Sequence, residues 1–197
     1  MIYFISDNHF GHDNIRKYAN RPFSSVEEMD EHMIAVWNET VGSDDIVYHL
    51  GDFCLGDFDM AKSYIRRLNG RIRFVTPDFH HDKRWINEIK ARQIKSRTVQ
   101  KIEILPPIYA LELEDRKCII LSHHPQFVWD RQHYLSYHLY GHIHQKSFRI
   151  PYGPLSLNVC VDAIPTGKTF GKPISIDEVN IFMLDQIMHY DPKPIGE

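Results

Sequence analysis

The chain is poor in the features that most simply set a protein's class. It has three cysteines, Cys54, Cys118 and Cys160. They are odd in number, far apart and in no C-x-x-C pair. A disulfide framework and a cysteine-rich zinc site are not expected, and a reducing, cytoplasmic setting is. No run approaches the roughly 18 apolar residues of a membrane span. The segment MIYFISDNHF lacks a basic n-region and breaks its apolar run at Asp7, so it does not read as a signal peptide. Neither charge sign dominates: 23 Lys and Arg against 26 Asp and Glu leave a formal net charge of -3. Strong duplex nucleic-acid binding through bulk charge is therefore not expected. Internal repeats, low-complexity tracts and long linkers are lacking too. A chain of 197 residues fits one domain, 1–197, able to bury a core without staples.

Histidine is what the chain has in excess. Thirteen in 197 residues is about three times a typical usage of roughly 2%. Imidazole titrates near neutrality and is the commonest metal ligand, so the spacing of these histidines carries the reading.

Periodicity supplies the frame. Ile2–Ile5, Ile46–Leu50 and Ile72–Val75 are short apolar runs that read as buried strands. Between them, Ser25-x-x-Glu28 is a capping box ahead of a helix over 26–41, stopped by Gly42. Ala61, Tyr64, Ile65 and Leu68 mark a second helix with Gly70 as its C′ residue. The first 75 residues thus read β-α-β-α-β, the pattern of parallel strands. From Lys83 to Lys101, seven basic residues face one acidic residue, Glu88, on a partly amphipathic helix. Strand-like runs follow at 98–105, 108–113, 118–121, 137–140 and 155–161. In the last, Leu155, Leu157, Val159 and Val161 alternate onto one face. Ser175-x-x-Glu178 caps a final helix carrying Ile176, Val179, Met183 and Ile187. Two packed sheets with helices outside are expected.

Four polar clusters each follow a strand directly: Asp7-Asn8-His9, Gly51-Asp52, Ser122-His123-His124-Pro125 and Gly141-His142-Ile143-His144. Open α/β sheets build their sites beyond the carboxyl ends of strands. In extended backbone, residues i and i+2 share a side, so Asp7 with His9, and His142 with His144, would converge. Gly51 and Gly141 would let the backbone approach closely. His49 and Asp44 read as packing and turn residues. The donor set mixes carboxylate oxygen with imidazole nitrogen and has no thiolate. That suits Mn, Fe, Co, Ni or Zn, and it offers enough ligands for two ions bridged by a carboxylate.

D-x-H, G-D, a His-Asp element, S-H-x-P and G-H-x-H, in this order, resemble the calcineurin-like metallophosphoesterase superfamily. SDNHFGHDNI, VYHLGDF, LSHHP, LYGHIH and LNVCVD look like blocks of its small bacterial and phage members. The resemblance runs from Met1 to about Glu178. It implies a four-layer α/β/β/α sandwich with two divalent or trivalent metal ions, Mn favoured. It implies Asp7, His9 and His144 on the first metal, Asp52 as the bridge, and His123 and His142 on the second. One block departs. The family expects G-N-H-D after the third strand, where this chain has Val75-Thr76-Pro77-Asp78-Phe79-His80-His81-Asp82. Matching His81-Asp82 to H-D makes His81 the catalytic acid and puts His80 in the Asn ligand position. Counting without a gap puts Asp78 there instead. The first register keeps the His-Asp pair.

The implied reaction is metal-assisted hydrolysis of a phosphate ester, a monoester or diester, with a small nucleotide-like substrate as partner. A non-catalytic metal-binding module with an altered acid block is the alternative, and a nuclease a third. Phe10, Trp129, Tyr134 and Tyr137 lie near the site loops and could stack a base or simply pack the rim. Lys83, Arg84 and Arg131 could meet a second phosphate or remain solvated.

Overall fold

The computed structural model describes residues 1–77, 81–114, 117–145, 155–163 and 169–189. In chain order the elements are β1 (Ile2–Ile5), α1 (Asp13–Tyr18), α2 (Val26–Thr40), β2 (Ile46–His49), α3 (Phe58–Ile65), β3 (Arg71–Val75) and α4 (Lys83–Arg92). Then come β4 (Glu103–Leu105), β5 (Ile108–Glu112), β6 (Cys118–Ser122), β7 (Tyr137–Tyr140), β8 (Ser156–Asn158), β9 (Ile174–Ser175) and α5 (Ile176–His189). No helix among the described residues is long and apolar enough to cross a membrane.

Two mixed sheets result, flanked by helices. The first has strand order β4-β3-β2-β1-β9, with β1 to β4 parallel and β9 antiparallel to β1. The second has order β5-β6-β7-β8, with β5 antiparallel and the others parallel. Alternation along the central strands divides the core in two. Ile5, Val47, Ile72 and Phe74 pack with α2, α3 and α4 around Trp37 and Trp85. Phe4, Tyr48 and Val75 join the second sheet and the inner residues of α5, Val179 and Met183.

The two capping boxes form, with one difference. In α5 both reciprocal bonds are made: Glu178 N–H donates to Ser175 Oγ (3.2 Å), and Ser175 N–H donates to Glu178 Oε2 (2.8 Å). In α2, Glu28 N–H donates to Ser25 Oγ (3.1 Å), but the Glu28 carboxylate takes its backbone bond from Ser24 N–H (2.7 Å). Capping side chains satisfy donors that the first helical turn cannot.

Several boundaries differ from the sequence reading. α3 ends at Ile65, so Gly70 is not its C′ residue. Gly70 has φ +85° and serves the turn into β3, where a Cβ would lie 2.9 Å from the Asp45 carbonyl oxygen. The expected 98–105 strand shortens to Glu103–Leu105. The expected 155–161 strand shortens to Ser156–Asn158, and Val161 leaves the face of Leu155, Leu157 and Val159 for the other core. The reason is a change of sheet. Beyond β8 the chain pairs with the end of β1: Ser6 N–H donates to the Val159 carbonyl (3.1 Å) and Val161 N–H to the Ser6 carbonyl (3.2 Å). This tie joins the strand ends of the two sheets. The helix α1 and strand β9 were not foreseen, since six and two residues are too short to carry a period.

Trp37 is fully buried and donates its indole N–H to the Asn69 carbonyl (3.1 Å), whereas Ile187 is 42% exposed on α5 despite its helical spacing with Val179 and Met183. Trp37→Ala should therefore lower the unfolding free energy by about 3–5 kcal/mol, and Ile187→Ala by about 0.5 kcal/mol or less. Urea denaturation of both variants checks the contrast.

Candidate metal centre

The clusters named from sequence lie on loops that zip together at the strand ends. Leu50 N–H donates to the Ile5 carbonyl, Asp7 N–H to Gly51, His9 N–H to Asp52 and Phe10 N–H to Phe53, all at 2.9–3.0 Å. In the second sheet, Gly141 N–H donates to the His123 carbonyl (2.9 Å). Each ligand loop of the first sheet is also anchored by a phenylalanine one residue on. Phe10 and Phe53 are fully buried and pack edge-to-face at 5.1 Å. Burial of such a side chain stabilises by roughly 1.5–3 kcal/mol, which fixes the polar residue beside it.

The convergence does not come from extended backbone, as the spacing of Asp7 with His9 had suggested. Asp7 (φ +60°), His9 (+53°), Asp52 (+54°) and His142 (+67°) are all left-handed. Asp and His are enriched there among non-glycine residues, yet each such residue costs about 1–3 kcal/mol and persists only where its surroundings impose it. The glycines do act by close approach. A Cβ on Gly51 would lie 2.7 Å from His123 Nδ1, and one on Gly141 would lie 2.5 Å from Asp7 Oδ2.

The cluster centres on Asp52. Its Oδ2 is 3.5 Å from His9 Nε2, 3.6 Å from His123 Nε2 and 4.0 Å from His81 Nε2. Asp7 Oδ1 is 3.7 Å from His144 Nε2 and 4.0 Å from His9 Nε2. His142 gives its backbone N–H to both Asp7 oxygens (3.0 and 3.1 Å), and its ring lies 5.0 Å from that of His123. Asp7, His9, Asp52 and His123 are buried, while His81 is 34% exposed at the edge. So Asp7, His9, Asp52, His81, His123, His142 and His144 are brought together. His80 and Asp78 lie outside the described residues.

Electrostatically the centre of the cluster is dominated by two buried carboxylates. Burial, then the neighbouring Asp52 carboxylate, push Asp7 up to about 7. Burial drives His9 well below its usual range, and neither of its ring nitrogens has a hydrogen-bond partner among the described residues. Two buried carboxylates and a neutral, unpartnered imidazole are what a cation would satisfy. Asp7, Asp52 and His123 each offer one donor atom within 4.8 Å of the others, and so do His9, Asp52 and His81. The residues fit metal ions of the Mn, Fe, Co, Ni or Zn type.

A second set of residues orients the donors. His123 Nδ1 bonds the Leu50 carbonyl (2.8 Å), which makes it the protonated nitrogen and turns the Nε2 lone pair inward. His144 Nδ1 bonds Asp162 Oδ2 (2.6 Å), and Asp162 is held by Arg21 through two parallel bonds (3.0 and 2.8 Å). Burial opposes the charged form of His144, but Asp162 and Asp7 outweigh it and its pKa is raised. Arg21 also donates to the carbonyls of Asn8 (2.8 Å) and Asp7 (2.7 Å). Asp82 is buried and accepts from Phe53 N–H (3.0 Å) and the Thr76 hydroxyl (2.9 Å), so it clamps the Asp52 loop. His49 is a packing residue, bonded to Asn8 Oδ1 (2.9 Å) and set edge-on to the Phe53 ring and tilted against that of Phe74.

Sequence reasoning did not single out His12, Arg21 or Asp162. His12 stands in the same block as His9, and its ring is 5.5 Å from that of His9 and 6.0 Å from that of His81. Arg21 and Asp162 are 141 positions apart, so no local pattern could pair them. Of the aromatics, Phe10, Trp129 and Tyr137 are buried packing residues, and Tyr134 is 86% exposed. Arg131 pairs with Glu112 (2.9 Å). A cavity of about 460 Å³ opens beside His142 and His144, lined also by Tyr18, Asn20 and Gln145.

Removing Asp162 leaves the buried Arg21 charge unpaired. Asp162→Ala should cost about 3–5 kcal/mol in urea unfolding of the metal-free protein. Asp162 is held below its usual 3.8: burial opposes this, but His144 and Arg21 outweigh it. A depressed carboxylate adds stability above its unfolded pKa and loses it as pH falls through the folded one. The Arg21–Asp162 part of the difference should thus persist at neutral pH and shrink in acid below about 3.8, whereas the part due to charged His144 is lost as pH rises through its raised pKa.

No family model matches the chain. A solved structure of a protein of unknown function, AQ665, from Aquifex aeolicus aligns with a TM-score of 0.66 at 24% identity, covering 92% of this chain and 98% of that one. At that identity the likeness concerns the fold alone. An uncharacterized protein of Methanocaldococcus jannaschii, MJ1445, is 37% identical over 174 residues, which span 85% of this chain and 93% of that protein. The chain therefore belongs to the same family as MJ1445.

Proposed function

We propose that the chain is a dinuclear-metal phosphoesterase, a cytoplasmic single-domain enzyme with the four-layer α/β/β/α arrangement of the calcineurin-like metallophosphoesterases. The observation that carries the reading is Asp52, a buried carboxylate whose Oδ2 lies within 4.0 Å of three imidazole nitrogens at the ends of parallel strands. Asp7, His9 and His144 would hold one ion with Asp52, and His123 and His142 the other. Such a pair of ions, when bound, supplies a water nucleophile at neutral pH and neutralises charge on phosphoryl oxygens.

The chain's own residues do the rest. Asp162 and Arg21 fix the tautomer and direction of His144, and the Leu50 carbonyl fixes those of His123. His81 lies at the exposed edge beside Asp52, and it would donate a proton to a leaving oxygen. The cavity beside His142 and His144 has room for a small organic group, and Tyr18 on its rim is 78% exposed. These features favour a small phosphoester over an extended duplex.

Bis(p-nitrophenyl) phosphate and a panel of nucleotide esters test the proposal. Hydrolysis with Mn²⁺, abolished by EDTA and restored by added metal, is the expected outcome. Asp52→Asn should lower rate and bound metal more than His9→Ala, since a bridging amide cannot balance two dications. His81→Ala should keep its metal and lose about 10²–10⁴-fold on alkyl esters, with far less loss on p-nitrophenyl esters, which need no proton on departure. Full metal occupancy without hydrolysis of any ester would make the chain a metal-binding module instead.

A further inference from the structure

Among the described residues, the second ion of the proposed pair has, from Asp52, His123 and His142, fewer donors than the first. We infer that His124 completes that site, and that the second ion is held by three imidazoles and prefers Co, Ni or Zn to Mn. The inference rests on the two-ion reading above and names a ligand that the S-H-x-P pattern leaves unspecified.

The geometry is specific. One nitrogen from each of His123, His124 and His142 lies within 4.8 Å of the other two. The ring centroids are 4.7 Å apart for His123 and His124, 5.0 Å for His123 and His142, and 4.4 Å for His124 and His142. Neighbouring histidines on a strand would point to opposite faces. Here the chain turns out of β6, because the Ser122 hydroxyl donates to the His124 carbonyl (2.7 Å), and both rings come to one side. His142 reaches them because Gly141 N–H bonds the His123 carbonyl and docks the end of β7 against the end of β6. His123 belongs to this group and to the Asp52 group alike, and the nitrogen it turns to Asp52 is Nε2. Imidazole donors suit Co, Ni and Zn, and affinity at nitrogen-rich sites rises from Mn towards Ni and Zn.

The test uses the full chain, stripped of metal and titrated with Co²⁺, with bound metal counted by elemental analysis and followed by visible absorption. Wild type should bind two ions. His124→Ala and His124→Gln should keep the first and bind the second at least ~10-fold more weakly, a factor seen even for outer partners of ligands. Their loss should be larger for Co²⁺ and Zn²⁺ than for Mn²⁺. Circular dichroism and the metal-free melting temperature, close to wild type, show that the variants fold. Two ions bound with wild-type affinity in both variants would overturn the inference, as would a second ion lost in His80→Ala or Asp78→Ala but kept in His124→Ala. Wild type that binds two ions, loses one with His124 and hydrolyses no ester would leave this site standing and sink the phosphoesterase reading. Wild type that binds no ion would overturn both.

Discussion

The carboxylates of Asp7 and Asp52 are buried side by side at the ends of neighbouring parallel strands, and much of the surrounding structure follows from having to keep them there. Charge removed from water is expensive, and like charges at close range raise the cost. In the metal-free protein this appears as Asp7 pushed up to about 7. The chain offsets part of the cost with donors: the Ser6 hydroxyl at 2.5 Å and the His142 backbone N–H at 3.0 and 3.1 Å, both on the Asp7 carboxylate. Of the imidazoles around the pair, His9 is kept neutral by burial, and His123 and His144 are steered by bonds on their far sides. Two buried carboxylates side by side, with an imidazole between them that has no hydrogen-bond partner among the described residues, could hold a cation.

Holding that arrangement requires backbone conformations that ordinary strands and helices do not supply. Four of the clustered polar residues are left-handed, and two glycines stand where a methyl group would collide with the His123 or the Asp7 side chain. Strain of this kind survives because the residues next to it are over-determined. Phe10 and Phe53 lock into the aromatic core, and the ladder of backbone bonds continues past the strand ends. Stability from packing is thus used at the adjacent position to impose a conformation that a regular strand would not adopt.

Arg21 is the clearest case of long-range organisation. One guanidinium holds Asp162, and through it His144, while also binding the carbonyls of Asp7 and Asn8. It thereby connects the loop after β1 with the segment after β8, where the two sheets are already tied through Ser6 and Val161. The donors on the first sheet and those on the second are aligned by the same contacts that join the sheets.

The sequence by itself determined the elements and their polar endings. Short apolar runs fixed β1, β2, β3, β6 and β7, capping boxes fixed the starts of α2 and α5, and each histidine-rich cluster followed a strand because it stood next to one in the chain. These are local facts, written within a few residues. Only the tertiary structure decided the rest. It turned Asp7, His9 and His142 inward by left-handed kinks where alternation had suggested extended backbone, and it placed His124 beside His142. It shortened the 155–161 strand because the chain there changes sheets, and it joined Arg21 to Asp162 across 141 positions. Period and spacing specify which face of an element is buried. What that face meets depends on contacts between residues far apart in sequence, and those form only when the sheets close.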